Sequence, residues 1–412
     1  MKNLKNYIKD YINESYLNEN YLDESAWDIE DNIEDDNKEF ILDEVKKFIE
    51  DNYINFNIKN CEFIFDEKKD KYVVNCNQQV TLKSSVATQL TIDSFEWGTV
   101  WNFNCSNCSN LTSLEGAPKR VSGIFNCSSC DELKTLKGAP KEVGGDFKCA
   151  ECPKLESLKG APRVVEGGFN CSECPKLTSL EGAPKTVEGF SCAGCGELKS
   201  LKGTPEHVRW NFDCSECPKL TSLEGAPKSV GNDFDCSKCP ITSLQGAPKT
   251  VGEDFYCNGC PNLTSLQGAP RQVRGVFHCY ECPKLKSLQG APEIVEGEFG
   301  CRNCQNLESL EGAPEIVKGN FYCQDCSKLK TLKGAPKKVG KNFYCTGCPI
   351  TSLEGAPKEV KGRFDCSECP NLTSLEGAPK TVEKDFDCYD CPNLHSLDGI
   401  GKVKGRIFSD IE

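Results

Sequence analysis

The chain has 412 residues, among them 30 Cys, 35 Gly, 22 Pro and a single Met. Gly and Pro together punctuate it about once in seven positions, which excludes long helices. No apolar run reaches the ~18 residues of a membrane span, and the start lacks the apolar core and cleavage site of a secretory leader. The cysteines are therefore expected as reduced thiols or metal ligands, not as a disulfide framework. The formal net charge of −13 is uneven: residues 1–100 hold 22 acidic and 11 basic side chains, and the rest hold 40 and 38. Neither part reads as a strongly basic nucleic-acid surface, so no nucleic acid is expected as a partner, and no membrane.

In chain order, residues 1–55 read as an acidic helical segment. Leu4, Tyr7, Ile8, Tyr11 and Ile12 share one helical face, as do Phe40, Ile41, Val45, Phe48 and Ile49. Between them LDESAWDIEDNIEDD is strongly acidic. INES and LNEN near the start resemble the I/L-x-E cleavage sites of tailed-phage prohead proteases, although a solvated helix is the plainer reading. Residues 56–100 read as a β-hairpin cap: CEFIF (61–65) and YVVNC (72–76) flank DEKKDK. Such a cap covers the open end of a repeat array.

Residues 101–397 repeat. Fourteen Phe, from Phe103 to Phe386, each open F-x-C-x-x-C, at intervals of 22 residues with three of 21. Those units hold 28 of the Cys, and Cys61 and Cys76 complete the 30. A fixed short period means a solenoid. F-x-C alternates, so Phe and the first Cys point inward from a short strand and the residue between them points out. The second Cys takes the turn, two Leu and a Val close the core, and G-A-P forbids a helix on the convex side in favour of an extended return. At about 4.8 Å per coil, fourteen steps make a rod roughly 65 Å long. Residues 398–412 lose the Cys and are expected to seal the last coil.

GNDFDCSKCPITSLQGAPKTV and KGRFDCSECPNLTSLEGAPKTV resemble the leucine-rich repeats of bacteriophage and bacterial proteins with G-(D/N)-F-x-C-S-x-N-x-L-T-S-L-x-G-x-P units, over residues 95–405. Cys stands where that family has Asn, as in cysteine-type leucine-rich repeats. The resemblance implies a right-handed, mainly β solenoid of about 14 units that acts as an interaction scaffold, and it supplies no catalytic residues.

Paired C-x-x-C motifs in adjacent coils could in principle furnish Cys₄ zinc sites, or iron–sulfur ligands. Inward-pointing Cys in every unit of a core argues instead for buried, protonated thiols, the second donating to a backbone carbonyl. No metal or other cofactor is therefore expected. Nor is catalysis, since His207, His278 and His395 fall into no nucleophile–base set; His207 and His395 read as solvated loop residues.

Variation within otherwise uniform units marks the partner site. The outward strand residues run Asn104, Asn126, Lys148, Asn170, Ser191, Asp213 and Asp235, then change to Tyr256, His278, Gly300, Tyr322 and Tyr344 before Asp365 and Asp387. The residue after the first Cys becomes Tyr280 and Arg302 in the same region. Tyr256, His278, Tyr280, Arg302, Tyr322 and Tyr344 are thus expected side by side on one open face, with a gap at Gly300. Tyr and Arg are hot-spot residues, although cross-strand aromatics also simply stabilise sheets. Asp213, Glu216, Asp233, Asp235 and Asp254 precede the stripe and Glu368, Asp387 and Asp390 follow it, so a protein partner with basic flanks fits. Trp101 and Trp210 are expected to be partly exposed. The expected function is non-catalytic protein binding in a bacterial or phage-infected cytoplasm. The alternatives are a zinc-loaded rod or thiol metal buffer, and a virion component.

Overall fold

A computed structural model describes residues 39, 41–51, 53–54, 58–69, 71–83 and 95–411. The first of the two helical faces read in the sequence, the acidic stretch and the INES and LNEN sites lie outside these residues. Phe40 of the second face also lies outside them, and the rest of that face is observed as a helix over residues 41–51 that buries Val45 and Ile49 completely.

The helix leads into a β cap. Tyr53–Ile54 pairs antiparallel with the end of Lys71–Leu82, and Cys61–Asp66 forms the hairpin with its beginning. Lys71–Leu82 then pairs parallel with Phe95–Asn104, the ten-residue strand that runs into the first coil. The edge of the first coil is thereby hydrogen-bonded rather than left open. Trp97 on that strand is buried, and its Nε1–H donates to Tyr53 Oη at 3.1 Å.

Cys61 and Cys76 sit directly opposite each other in the hairpin, with Cα atoms 4.3 Å apart, and form a disulfide. This corrects the expectation that all thirty cysteines are unbridged. Antiparallel pairing sets the two side chains opposite each other on one face of the hairpin, within bonding range. The 28 repeat cysteines are free and buried.

The repeat closes into a parallel β-solenoid of about fifteen turns with a 22-residue period, leucine-rich-repeat-like and with no helix in its coils. Each turn contributes two short parallel strands. One holds Phe and its outward neighbour and pairs in strict register with the next turn (Phe277↔Phe299, His278↔Gly300). The other is the x-Val pair of the return limb, in register likewise (Ile294↔Ile316, Val295↔Val317). Between them the G-A-P glycine takes φ near +90°, as at Gly138 (φ 91), where a Cβ would lie 2.3 Å from the backbone of the preceding turn. Only Gly satisfies both the left-handed φ and that approach. After Asp398, Lys402–Val403 and Ile407–Phe408 continue both ladders for one more turn, paired on the last Cys-bearing coil.

The core repeats as faithfully as the sequence. Phe rings stack from Phe103 to Phe386 with centroids 5.0–5.6 Å apart, the low value between Phe255 and Phe277 and the high one between Phe212 and Phe234. Two Cys, two aliphatic residues and one Val per turn fill the remainder, nearly all without solvent contact. From Cys130 onward the second Cys of each pair donates its S–H to the carbonyl of the first Cys one turn back, for example Cys282 Sγ to Cys257 O at 3.2 Å and Cys304 Sγ to Cys279 O at 3.2 Å. Burial pushes the first-position thiols well above their ordinary range, as at Cys257, Cys279 and Cys301. The first-position thiols are thus held neutral, while the second-position thiols form the hydrogen-bonded ladder at the turn.

Candidate interaction surface

The outward strand position sorts the fourteen Cys-bearing turns into three groups, the smallest being Lys148 and Ser191. In seven turns it is Asn or Asp, and its Oδ1 accepts the N–H two residues on. The bonds are Asn104 to Ser106 (3.0 Å), Asp213 to Ser215 (3.0 Å) and Asp365 to Ser367 (3.1 Å), with equivalents at Asn126, Asn170, Asp235 and Asp387. This local turn suits the sharp change of direction after the strand. The residue with positive φ that follows, such as Glu216 (φ 56) or Glu368 (φ 56), completes it. Five consecutive turns abandon the arrangement for Tyr256, His278, Gly300, Tyr322 and Tyr344. In two of them the freed amides turn to the neighbouring coil: Asn258 N–H donates to Ser237 Oγ at 3.2 Å and Tyr280 N–H to Asn258 Oδ1 at 3.0 Å.

The six expected residues come together on one face. Tyr256 and His278 are cross-strand neighbours with ring centroids 5.7 Å apart, and Tyr322 and Tyr344 stack at 5.2 Å with planes 3° apart. Tyr280 stacks on His278 at 4.3 Å, and the Arg302 guanidinium lies over the Tyr280 ring at 4.4 Å.

The expected gap at Gly300 does not exist. A Cβ built on Gly300 would fall 1.9 Å from Tyr280 Cε1, so the Tyr280 ring occupies the space of the missing side chain. Gly300 is itself buried. The ridge is therefore continuous: Tyr256, His278, Tyr280, Tyr322 and Tyr344, with Arg302 clamping its centre.

Polar groups behind the rings fix them. Tyr256 Oη donates to Asp254 Oδ2 at 2.6 Å. Asn320 Nδ2 donates to Tyr322 Oη at 2.8 Å and Asn342 Nδ2 to Tyr344 Oη at 2.9 Å, so the latter two hydroxyls keep their protons for another acceptor. Asn320 and Asn342 were missed in the sequence reading. The signal was present, because residues two apart on a strand share a face and each flanks a Phe. Burial lowers the His278 pKa to about 4, against the opposing pull of Asp254, and its Nε2 is buried without a hydrogen-bond partner. Burial also raises the Tyr256, Tyr280 and Tyr322 phenols. Gln324 Oε1, on the same face, is a second buried polar atom with no partner.

The acidic flanks are less uniform than expected. Asp387, like Asp365, is buried, and Arg363 bridges both carboxylates. Asp213 and Asp235 are turn acceptors, and burial raises the Asp235 carboxyl. Trp101 and Trp210 are about half exposed, as expected, but lie away from the ridge, Trp101 within the strand Phe95–Asn104 and Trp210 at the corner before Phe212. The loop between Val187 and Phe190 is one residue short, and Trp210 packs beside Gly189 there. His207 is exposed on a strand of the return limb, its Nδ1 2.6 Å from Ser229 Oγ, rather than in a loop. An open groove of about 1030 Å³ runs along that limb past Thr186, Ser229 and Thr250.

Among the described residues no group of three or more His, Cys, Asp or Glu is arranged to hold a metal ion, and no helix is long and apolar enough to cross a membrane. Fold and surface define a leucine-rich-repeat-like β-solenoid bearing one aromatic ridge on its strand face. No family model and no curated protein matches the chain. Among solved structures it is similar to a leucine-rich repeat protein from Bacteroides ovatus at 18% identity, covering 85% of this chain and 100% of that one with a TM-score of 0.47.

Proposed function

We propose that this chain is a non-catalytic protein-interaction scaffold that grips a protein partner along the ridge of Tyr256, His278, Tyr280, Arg302, Tyr322 and Tyr344. The observation that carries the reading is the run of five turns in which the local Asx turn gives way to aromatic side chains. The Asx bond, of the kind worth about 0.5–1.5 kcal/mol, is absent from all five, though in two of them the amide bonds to the neighbouring coil instead, and the rings of Tyr256, His278, Tyr322 and Tyr344 stay partly in solvent. Five consecutive departures from the local rule of the neighbouring turns are the kind of inconsistency expected at a functional surface. Rings held by stacking and by Asn320 and Asn342 lose little entropy on binding, as hot spots require.

The test compares proteins retained by the immobilised wild-type chain with those retained by Tyr322→Ala/Tyr344→Ala, after matched melting curves establish that both fold. Loss of a specific retained protein from the variant alone supports the ridge. An identical retained set on both would remove it as the binding surface.

A further inference from the structure

Charge divides by face in this solenoid, and the division is invisible in the sum. Four positions border the strand in every turn: the residues before and after Phe, and the two between the cysteines. Over the fourteen Cys-bearing turns these positions hold 16 carboxylates and 4 basic side chains, whereas residues 101–412 as a whole hold 40 and 38. The remaining surface thus carries 24 and 34. A near-neutral rod is strongly acidic on its strand face and basic elsewhere.

The four basic groups on that face are not equivalent. Lys148 pairs with Asp146 at 3.4 Å, Lys238 with Glu216 at 2.6 Å, and Arg363 with Asp365 at 3.0 Å. Arg302, at the centre of the ridge, is exposed and lies on the Tyr280 ring, and among the described residues it has no carboxylate within ion-pairing reach. Glu298 and Asp325 stand on the same and the next turn, so this cation is surrounded by acid yet held by a ring. On either side the ridge is bordered by carboxylates: Asp233 and Asp254 before it, Glu281, Glu298 and Asp325 along it, Glu368 and Asp390 beyond.

We propose that the ridge's partner is a basic polypeptide segment that brings one carboxylate to Arg302, a reading that rests on the ridge being the binding surface. Carboxylates at the same position of successive turns, such as Asp233 and Asp254, lie about 4.8 Å apart, within one Debye length of roughly 8 Å at physiological ionic strength, so they act together on an approaching cation. Lys and Arg of the segment relieve their mutual repulsion. The basic remainder of the rod repels the same segment and so directs it to the strand face. Arg302, pre-oriented by Tyr280, forms a charge-assisted pair with a single acid at the middle of the segment, which fixes its register.

The probe is a random-peptide display library selected on the purified full chain at about 0.05 M salt. The expected outcome is enrichment of Lys/Arg-rich peptides with one central Asp or Glu. Their affinity should fall at least tenfold between about 0.05 and 0.5 M salt. Arg302→Gln should weaken them about tenfold, but should leave unchanged a peptide whose central acid is replaced by its amide. Enrichment of neutral or acidic peptides, or equal loss with both peptides on Arg302→Gln, overturns the proposal. The variant Tyr322→Ala/Tyr344→Ala separates the two levels. Non-basic peptides that this variant no longer binds leave the ridge standing and sink the charge reading. Selected peptides that bind the variant as well as wild type sink both, and so does the absence of any enrichment.

Discussion

Substitution of Gly300 by Ala tests the continuity of the ridge. Gly300 is an extended strand residue, so Ala meets no backbone objection, and stiffening the unfolded chain favours Gly→Ala by about 0.4–1 kcal/mol. Against this, the new Cβ would fall 1.9 Å from Tyr280 Cε1, where about 3.5–4.0 Å is needed, so the ring must swing out by nearly 2 Å. It then loses its stack on His278, worth about 0.5–1.5 kcal/mol, and the Arg302 contact, worth about 0.5–1 kcal/mol. The net effect lies anywhere between about zero and 2 kcal/mol destabilising, which is why the single variant is a poor test and a cycle with Tyr280→Ala is a good one. With Tyr280 in place, Gly300→Ala is expected to be neutral to destabilising by about 2 kcal/mol. In the Tyr280→Ala background, with no ring to displace, it is expected to stabilise by about 0.4–1 kcal/mol. Because long repeat arrays do not unfold as one unit, the readout is native-state hydrogen exchange at the Cys279 and Cys301 amides, which donate to Gly300 O and Tyr322 O. The same effect of Gly300→Ala in both backgrounds would show that Tyr280 does not occupy the glycine's space.

Other expectations are more direct. Cys257→Ser and Cys260→Ser should each destabilise by about 1–3 kcal/mol, through altered packing and a buried hydroxyl, as read by local hydrogen exchange; variants indistinguishable from wild type would refute the inward thiol ladder. Thiol titration of the denatured protein should find 28 groups without reductant and 30 with it, and two extra thiols in the unreduced sample would refute the Cys61–Cys76 bridge. The folded-state pKa of His278, about 4, lies below its ordinary 6.5, so the native protein binds fewer protons than the unfolded one between these values. Stability is therefore full above pH 6.5 and declines as pH falls towards 4, by of order 1–2 kcal/mol once partial solvent contact is allowed for. Replacement of His278 by Gln should flatten the local hydrogen-exchange stability over that interval, and an unchanged slope would count against a buried neutral imidazole.

The ridge also shows how far a repeat can be read. In a solenoid, position in the unit dictates position in space, so the stripe of aromatic residues and its neighbours could be placed from the 22-residue period. The relation between Tyr280 and Gly300 could not, because it depends on which way a long side chain turns between adjacent coils. The same holds for Arg363, whose bond to two buried carboxylates neutralises a flank that composition alone counts as acidic.

Period, spacing and alternation by themselves determined that the chain coils, that Phe, Cys, Leu and Val face inward, and that the G-A-P limb returns without a helix. These are short-range consequences of steric rules, repeated until they add up to a fold. Only the tertiary structure decided the rest: the bridge between Cys61 and Cys76, the pairing of the cap strand with the first coil, the closing of the gap at Gly300, and the bridging of Asp365 and Asp387 by Arg363. Each of these depends on contacts between residues on different strands or different coils, where side-chain orientation and three-dimensional proximity, not order along the chain, set the free energy.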